Sequence, residues 1–307
     1  MSSPEFLSLP EADEVFSVTT DDGAVLPVYG LAGPQDGPAL LFGHANGLAA
    51  GSYTPWLKML AQSCRVFAWD ARGHGGSRWP DGPLEEVFSV DRMADDLAAV
   101  SRAVAARAGV PAYVGHSLGG AAGLRLAFTG RAPDWPRLLI FEPPIFPPPS
   151  SRFYDGANAR QEILIAGTLK RRTDWPSPEA FCERLKGRGM FGRFDPAMLL
   201  AHCRATLKPK PPGFTLCCPP AVEAMLFRRH QKAADWTSLS RIARPLDLIG
   251  GDPATPDNDW ISAALPDMAA CAPQARLIQI AGTGHMLICE APAASAAFVL
   301  ARVVAGG

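Results

Sequence analysis

The sequence is short of several things, and each shortage closes off a class of protein. No stretch reaches the roughly 20 consecutive apolar residues that cross a bilayer, so no membrane span is expected. Neither sign of charge is in excess: 29 Lys and Arg against 30 Asp and Glu leave a net −1, which gives nucleic acid no electrostatic footing. The seven cysteines are odd in number, scattered, and without a Cys-x-x-Cys pair, while the adjacent Cys217-Cys218 has a spacing that metal sites rarely use. Neither a disulfide framework nor a metal centre is expected, and unpaired thiols fit a reducing compartment. Met1 to Glu14 has no positive start and no apolar core, unlike a secretory signal, so a cytoplasmic location is expected. Internal repeats are lacking too. What is present is hydrophobic substance, 48% of 307 residues, enough for one large α/β domain with an insertion or two small domains.

The most informative stretch is Gly115-His116-Ser117-Leu118-Gly119-Gly120. It lies between a short apolar run, Ala112 to Val114, that reads as a buried strand, and an Ala/Leu-rich stretch, Ala121 to Phe128, that reads as a helix. Gly-x-Ser-x-Gly in that setting is a nucleophile elbow. The serine needs a strained turn that exposes its hydroxyl, and a side chain two residues to either side would strike neighbouring backbone. The helix that follows aims its first amides at a developing oxyanion. On these residues the chain resembles a serine hydrolase of the α/β-hydrolase superfamily. The resemblance implies a mainly parallel central sheet flanked by helices, with an inserted, mostly helical cap.

The rest of the chain is ordered accordingly. Two alternating runs around Asp22-Gly23, within Val15 to Tyr29, predict a β-hairpin. Strands are expected at Ala39–Phe42, Arg65–Trp69, Pro136–Phe141, Pro245–Ile249 and Ala275–Ile280, and helices at 53–62, 91–107 and 291–304. Alternating strands and helices predict a parallel sheet covered on both faces, with functional groups gathered at the strands' C-terminal ends. Asp70-Ala71-Arg72-Gly73-His74-Gly75 is similar to a turn of the superfamily; Asp70, Arg72 and His74 are expected to tie it together through charge-assisted hydrogen bonds. In the Gly43-His44-Ala45-Asn46-Gly47 loop, the resemblance assigns one oxyanion-hole amide to Asn46 and the second to Leu118. His44 reads as a structural histidine bonded to loop backbone.

A serine nucleophile needs a base and an orienting acid, in the chain order Ser, acid, His. Of six histidines only His285 follows the last strand, on a glycine-rich turn; His116 adjoins the serine but should point away, and His202 and His230 fall in the cap. The acid has several candidates. Asp252 follows the strand at 245–249, the usual place, on a turn one residue shorter than the common form. Glu142 ends the preceding strand, where some haloalkane dehalogenases place their acid, or anchors the cap hinge. Asp257 and Asp259 complete the set.

Five prolines between Pro143 and Pro149 stop both helix and sheet. They separate a core, 1–146 and 239–307, from a separately packed cap, 147–238. The cap carries 15 Lys and Arg against 8 Asp and Glu, a net of +7, which leaves −8 for the core. That surplus is either a solvated surface or a basic rim that attracts anionic substrates. Phe191, Phe194 and Met225 are expected to set acyl chain length. The reading is a cofactor-free, metal-free serine hydrolase of a small-molecule ester, thioester or lactone, in which Ser117 attacks and His285 shuttles the proton. An acyltransferase would use the same triad, and a non-catalytic binding module has no need of it. A dehalogenase or epoxide hydrolase would need a carboxylate where Ser117 stands. The sequence gives no sign of oligomeric state.

Overall fold

The computed structural model describes residues 6–229, 236–255 and 260–304. An eight-stranded sheet runs in the order β1-β2-β4-β3-β5-β6-β10-β11. Its first half holds β1 (Glu14–Thr19), β2 (Val25–Leu31), β3 (Ala39–Gly43), β4 (Arg65–Trp69) and β5 (Ala112–His116). The second half holds β6 (Leu138–Phe141), β10 (Leu246–Gly251) and β11 (Ala275–Ile280). β1 and β2 form the expected antiparallel hairpin, β2 meets β4 antiparallel, and every pairing from β4 to β11 is parallel. Parallel neighbours require crossovers, and the crossover helices cover the sheet on both sides.

One face packs α3 (Val90–Ala108), α4 (Leu118–Phe128) and α9 (Trp260–Ala270) into a cluster that includes Met93, Leu97, Leu124 and Leu265. The short α2 (Leu84–Val87) adds Val87 to it. The other face takes α1 (Thr54–Ala61), α10 (Leu287–Glu290) and α11 (Pro292–Val303), through Trp56, Leu57, Leu287 and Val299. α3 begins where Ser89 caps it by accepting the Arg92 amide, and ends at Gly109 with φ of 77°. Tyr113 stacks on Trp135 at 4.7 Å and donates its hydroxyl hydrogen to Gly119 O, which presses the start of α4 onto the sheet.

The segment between β6 and β10 holds α5 (Tyr154–Leu169), α6 (Pro178–Leu185), α7 (Pro196–Ala205) and α8 (Pro220–Arg229). It also holds a small antiparallel sheet of β7 (Asp174–Trp175), β9 (Gly213–Leu216) and β8 (Leu207–Lys210). A separately packed cap was expected; among the described residues of this segment, several apolar side chains pack into the two clusters of the core. Trp175, Phe181, Phe194 and Met198 join the cluster under α1, and Cys218, Val222 and Leu226 join the one under α3. The small sheet escaped the sequence pattern because its strands have two to four residues and are crowded by Pro209, Pro211 and Pro212. No helix among the described residues is long and apolar enough to cross a membrane.

Candidate active site

β5 ends at His116, and Ser117 turns the chain into α4 with φ of 51°. That left-handed conformation is costly for a serine, and its neighbours must make room. A Cβ on Gly119 would lie 2.3 Å from Gly43 O, so glycine is required where the elbow passes β3. Among the described residues just one other non-glycine has a positive φ: Glu142, at 47°, where β6 ends. Strain marks these two positions, and a single histidine joins them. His285 lies 3.1 Å through Nε2 from Ser117 Oγ and 3.1 Å through Nδ1 from Glu142 Oε2. With Nδ1–H donated to the carboxylate, Nε2 is left to accept the serine hydroxyl hydrogen.

Glu142 is fully buried. Its Oε1 accepts the Gly251 amide at 2.7 Å and the Ser262 hydroxyl, so both oxygens are occupied and the carboxylate is fixed. A Cβ on Gly251 would come within 2.6 Å of the Thr283 and Gly284 carbonyls; glycine lets β10 pass this close to the histidine loop.

The expectation that Asp252 partners His285 is therefore not met. Asp252 is directed into its own turn: Oδ1 accepts the Ala254 amide at 2.9 Å and Oδ2 the Gly282 amide at 3.1 Å. These backbone donors hold its carboxyl below the usual range. Gly251 still pairs with Ile280 in the sheet, and Asp252 lies just past that pairing with both carboxylate oxygens taken by backbone amides. Asp257, Asp259 and His230 lie outside the described residues.

The two amides assigned to an oxyanion hole both lack a protein acceptor among the described residues. The Ala45 amide donates to the Tyr53 hydroxyl and the Gly47 amide to His74 Nε2, whereas the Asn46 amide between them has no protein acceptor among the described residues. Leu118 is the first residue of α4, with no carbonyl one turn back to receive its amide. The loop is pinned from below by two buried histidines. His44 donates Nδ1–H to Ala45 O and accepts the Ala71 amide; His74 donates Nδ1–H to Arg72 O. Each accepts a backbone N–H at Nε2, so each is neutral, and burial pushes His74 down to about 3. Asp70 and Arg72 act as expected of the turn. Asp70 gathers Ser8, Tyr29, Ala50 and Gly76, and the buried Arg72 is forked onto both Asp22 and Asp96.

Several supporting residues had no signal in the sequence. Tyr53 donates its hydroxyl hydrogen to His116 Nδ1 at 2.7 Å, and His116 Nε2–H donates to His285 O at 2.9 Å. His116 thus points away from the nucleophile, yet it completes a hydrogen-bonded chain from the oxyanion loop to the histidine loop. From the segment between β6 and β10, Arg193 grips Glu290, whose Oε2 accepts the Gly284 amide beside His285. From α8, the buried Glu223 pairs with Arg171, and its own carbonyl accepts from the Asn46 side chain. An aromatic ring or a charged pair at such scattered positions forms no motif.

Over Ser117 and His285 opens a cavity of about 750 Å³, roofed by α5, α6 and the 189–193 turn. Phe191 lines it. Phe194 is buried behind, near Phe191 and His202, and Met225 packs against the core cluster under α3, so neither of these two faces the cavity as expected.

An elbow serine after β5, a buried carboxylate after β6 and an imidazole after β11 are the parts of an α/β hydrolase. The profile of the alpha/beta hydrolase family matches residues 40–298. The chain belongs to that family. A curated relative, a non-heme chloroperoxidase of Streptomyces lividans, is 37% identical over 105 residues, 34% of this chain and 36% of its own. The match thus spans about a third of that relative's length. Among solved structures, an E-2-(acetamidomethylene)succinate hydrolase superposes with a TM-score of 0.75 at 21% identity, covering 95% of this α/β hydrolase and all of the other chain. The thioesterase domain from a curacin biosynthetic pathway gives 0.68 at 20% identity, covering 94% of this chain and 98% of the other. At such identities the likeness is one of fold.

Proposed function

We propose that this α/β hydrolase cleaves a carboxylic ester, thioester or lactone through an acyl-enzyme intermediate. The supporting observation is the line Ser117 Oγ, His285, Glu142, with 3.1 Å at each joint. Ser117 attacks the carbonyl carbon as His285 Nε2 takes its proton. Glu142 holds the imidazole in the required tautomer and stabilises the imidazolium. The Asn46 and Leu118 amides receive the charge that develops on the carbonyl oxygen. His285 returns the proton to the leaving alcohol or thiol, then activates the water that releases the acid and restores Ser117. A rigid, preorganised floor suits this chemistry, because donors already in place need no reorganisation during reaction.

A fluorophosphonate probe tests the reading. It should label Ser117, and Ser117→Ala should stay folded, lose the label, and lose turnover of a small acetate ester by about 10⁴-fold or more. Unchanged turnover in that variant would sink the mechanism.

A further inference from the structure

The cavity lining sorts by exposure. Its deep part holds the buried Ser117, Leu48, Phe146, Trp175, Phe181 and Ile261. Its outer part is exposed and cationic. Seven lysines and arginines line the cavity against one carboxylate, Glu223. Glu223 lies deep and is matched by Arg171, and Arg193 is matched by Glu290, so those pairs cancel locally. Lys170, Arg184 and Arg188 are exposed and have no acidic partner among the described residues. They stand at the end of α5, in the last turn of α6, and just beyond it. Beside them the apolar Ile163 and Met190 are 62% and 40% exposed.

One exposed cation does little in water, but several of one sign around a low-dielectric mouth sum to a field that concentrates anions there. The same mouth offers apolar surface leading to an apolar floor, where desolvating a charge would be costly. Building on the acyl-hydrolase reading, we propose that the cavity takes amphiphilic anionic acyl substrates: the apolar acyl portion descends toward Ser117 while a carboxylate or phosphate stays at the Lys170, Arg184 and Arg188 rim.

The test compares matched compounds in the wild type and in Arg184→Glu/Arg188→Glu, two exposed positions at which folding should survive, checked by thermal melting. Binding comes first, since it needs no turnover. Decanoate should slow fluorophosphonate labelling of Ser117, and should raise the melting temperature, at concentrations about tenfold lower than decanol; in the variant that preference should vanish. Turnover then locates the charge. Mono-4-nitrophenyl adipate against 4-nitrophenyl hexanoate places a carboxylate on the acyl end. Hexanoyl-CoA against hexanoyl-N-acetylcysteamine places phosphates on the leaving group. In at least one pair the anionic-to-neutral ratio of kcat/KM should exceed about ten at low ionic strength, and should fall about tenfold in 0.5 M salt and in the variant. Equal behaviour of decanoate and decanol, with matching salt profiles in both pairs, overturns the proposal even if Ser117 labels normally. Absence of labelling together with a preserved decanoate preference overturns the acyl-hydrolase reading and leaves the anionic rim standing.

Discussion

β6 and β10 lie side by side in the sheet, and each ends on a carboxylate. At the end of β6, Glu142 is fully buried, bent into a left-handed backbone conformation, and held by the Gly251 amide and the Ser262 hydroxyl. One strand away, Asp252 is only half-buried and accepts two amides of nearby turns. Both are ionisable groups at the correct edge of the correct sheet, and only one reaches the imidazole. Position along the chain does not separate them. The separation comes from how far each strand runs before it turns, and from which backbone donors stand within reach when it does.

The largest effect expected from this contrast is the loss of charge at Glu142. Glu142→Gln keeps the shape and the two donors' geometry but removes the charge that orients His285 and stabilises its imidazolium. That change should cost about 10⁴-fold in kcat on a small ester, with KM little changed. Full activity in a folded Glu142→Gln protein would mean that another group serves His285.

Next in size is the response to acid, because the oxyanion loop rests on imidazoles that are neutral, and His116 and His202 are buried as well. Burial pushes His74, His116 and His202 down to about 3, and lowers His44 as well. Unfolded histidines titrate near 6.5, so between about pH 6.5 and 3 the unfolded chain binds more protons than the native one. Stability therefore falls as pH falls through that window, by about 1.4 kcal/mol per pH unit for each such histidine. Urea midpoints measured from pH 7 to 5 should drop steeply. A flat profile would contradict neutral, backbone-bonded imidazoles beneath the oxyanion loop.

How much of this was legible follows from the range over which each feature is encoded. The hairpin, the parallel strands and α3 are written in local periodicity and caps, and they appear where the pattern put them. Ser117 and His285 were legible because each sits on a short glycine-bearing turn tied to one strand. Glu142 appeared among the candidates but not as the first. A carboxylate following the wholly apolar Leu138–Phe141 was a sign of a buried, partnered charge, and Asp252-Pro253 was a sign of a turn, where Asp bonds its own backbone two residues on. Tyr53, Ser262, Arg193 and Glu290 were not legible. Their contacts span 63 to 169 residues along the chain or pass through partners that do, and no periodicity or motif records such distances.

A smaller effect should follow from Ser262→Ala. Glu142 keeps the Gly251 amide and His285 but loses one of its donors to Oε1. A hydrogen bond to a charged group contributes about 1.5–3 kcal/mol, which sets an upper bound of roughly 10- to 100-fold on kcat. Ser262→Thr, which retains a hydroxyl, should recover part of it. Equal loss in both variants would point to packing around α9 instead.

The smallest effect belongs to Asp252, and its smallness is the sharpest check on the comparison. Asp252→Asn preserves an oxygen that can accept the Ala254 or the Gly282 amide, and removes a charge that water already screens. The Gly282 turn leads into the loop that carries His285, so some loosening is expected there; it is limited by other anchors, since the Gly284 amide still bonds Glu290 and His285 O still accepts from His116. Turnover of the small ester should stay within about twofold of wild type, and the melting temperature should fall only slightly. Asp252→Ala, which removes both acceptors, should lower the melting temperature further while leaving the pH dependence of kcat/KM in place, because the groups that titrate during turnover would be untouched. If Asp252→Asn instead lost activity on the scale of Glu142→Gln, the two strand ends would share the task, and the buried carboxylate alone would not account for the orientation of His285.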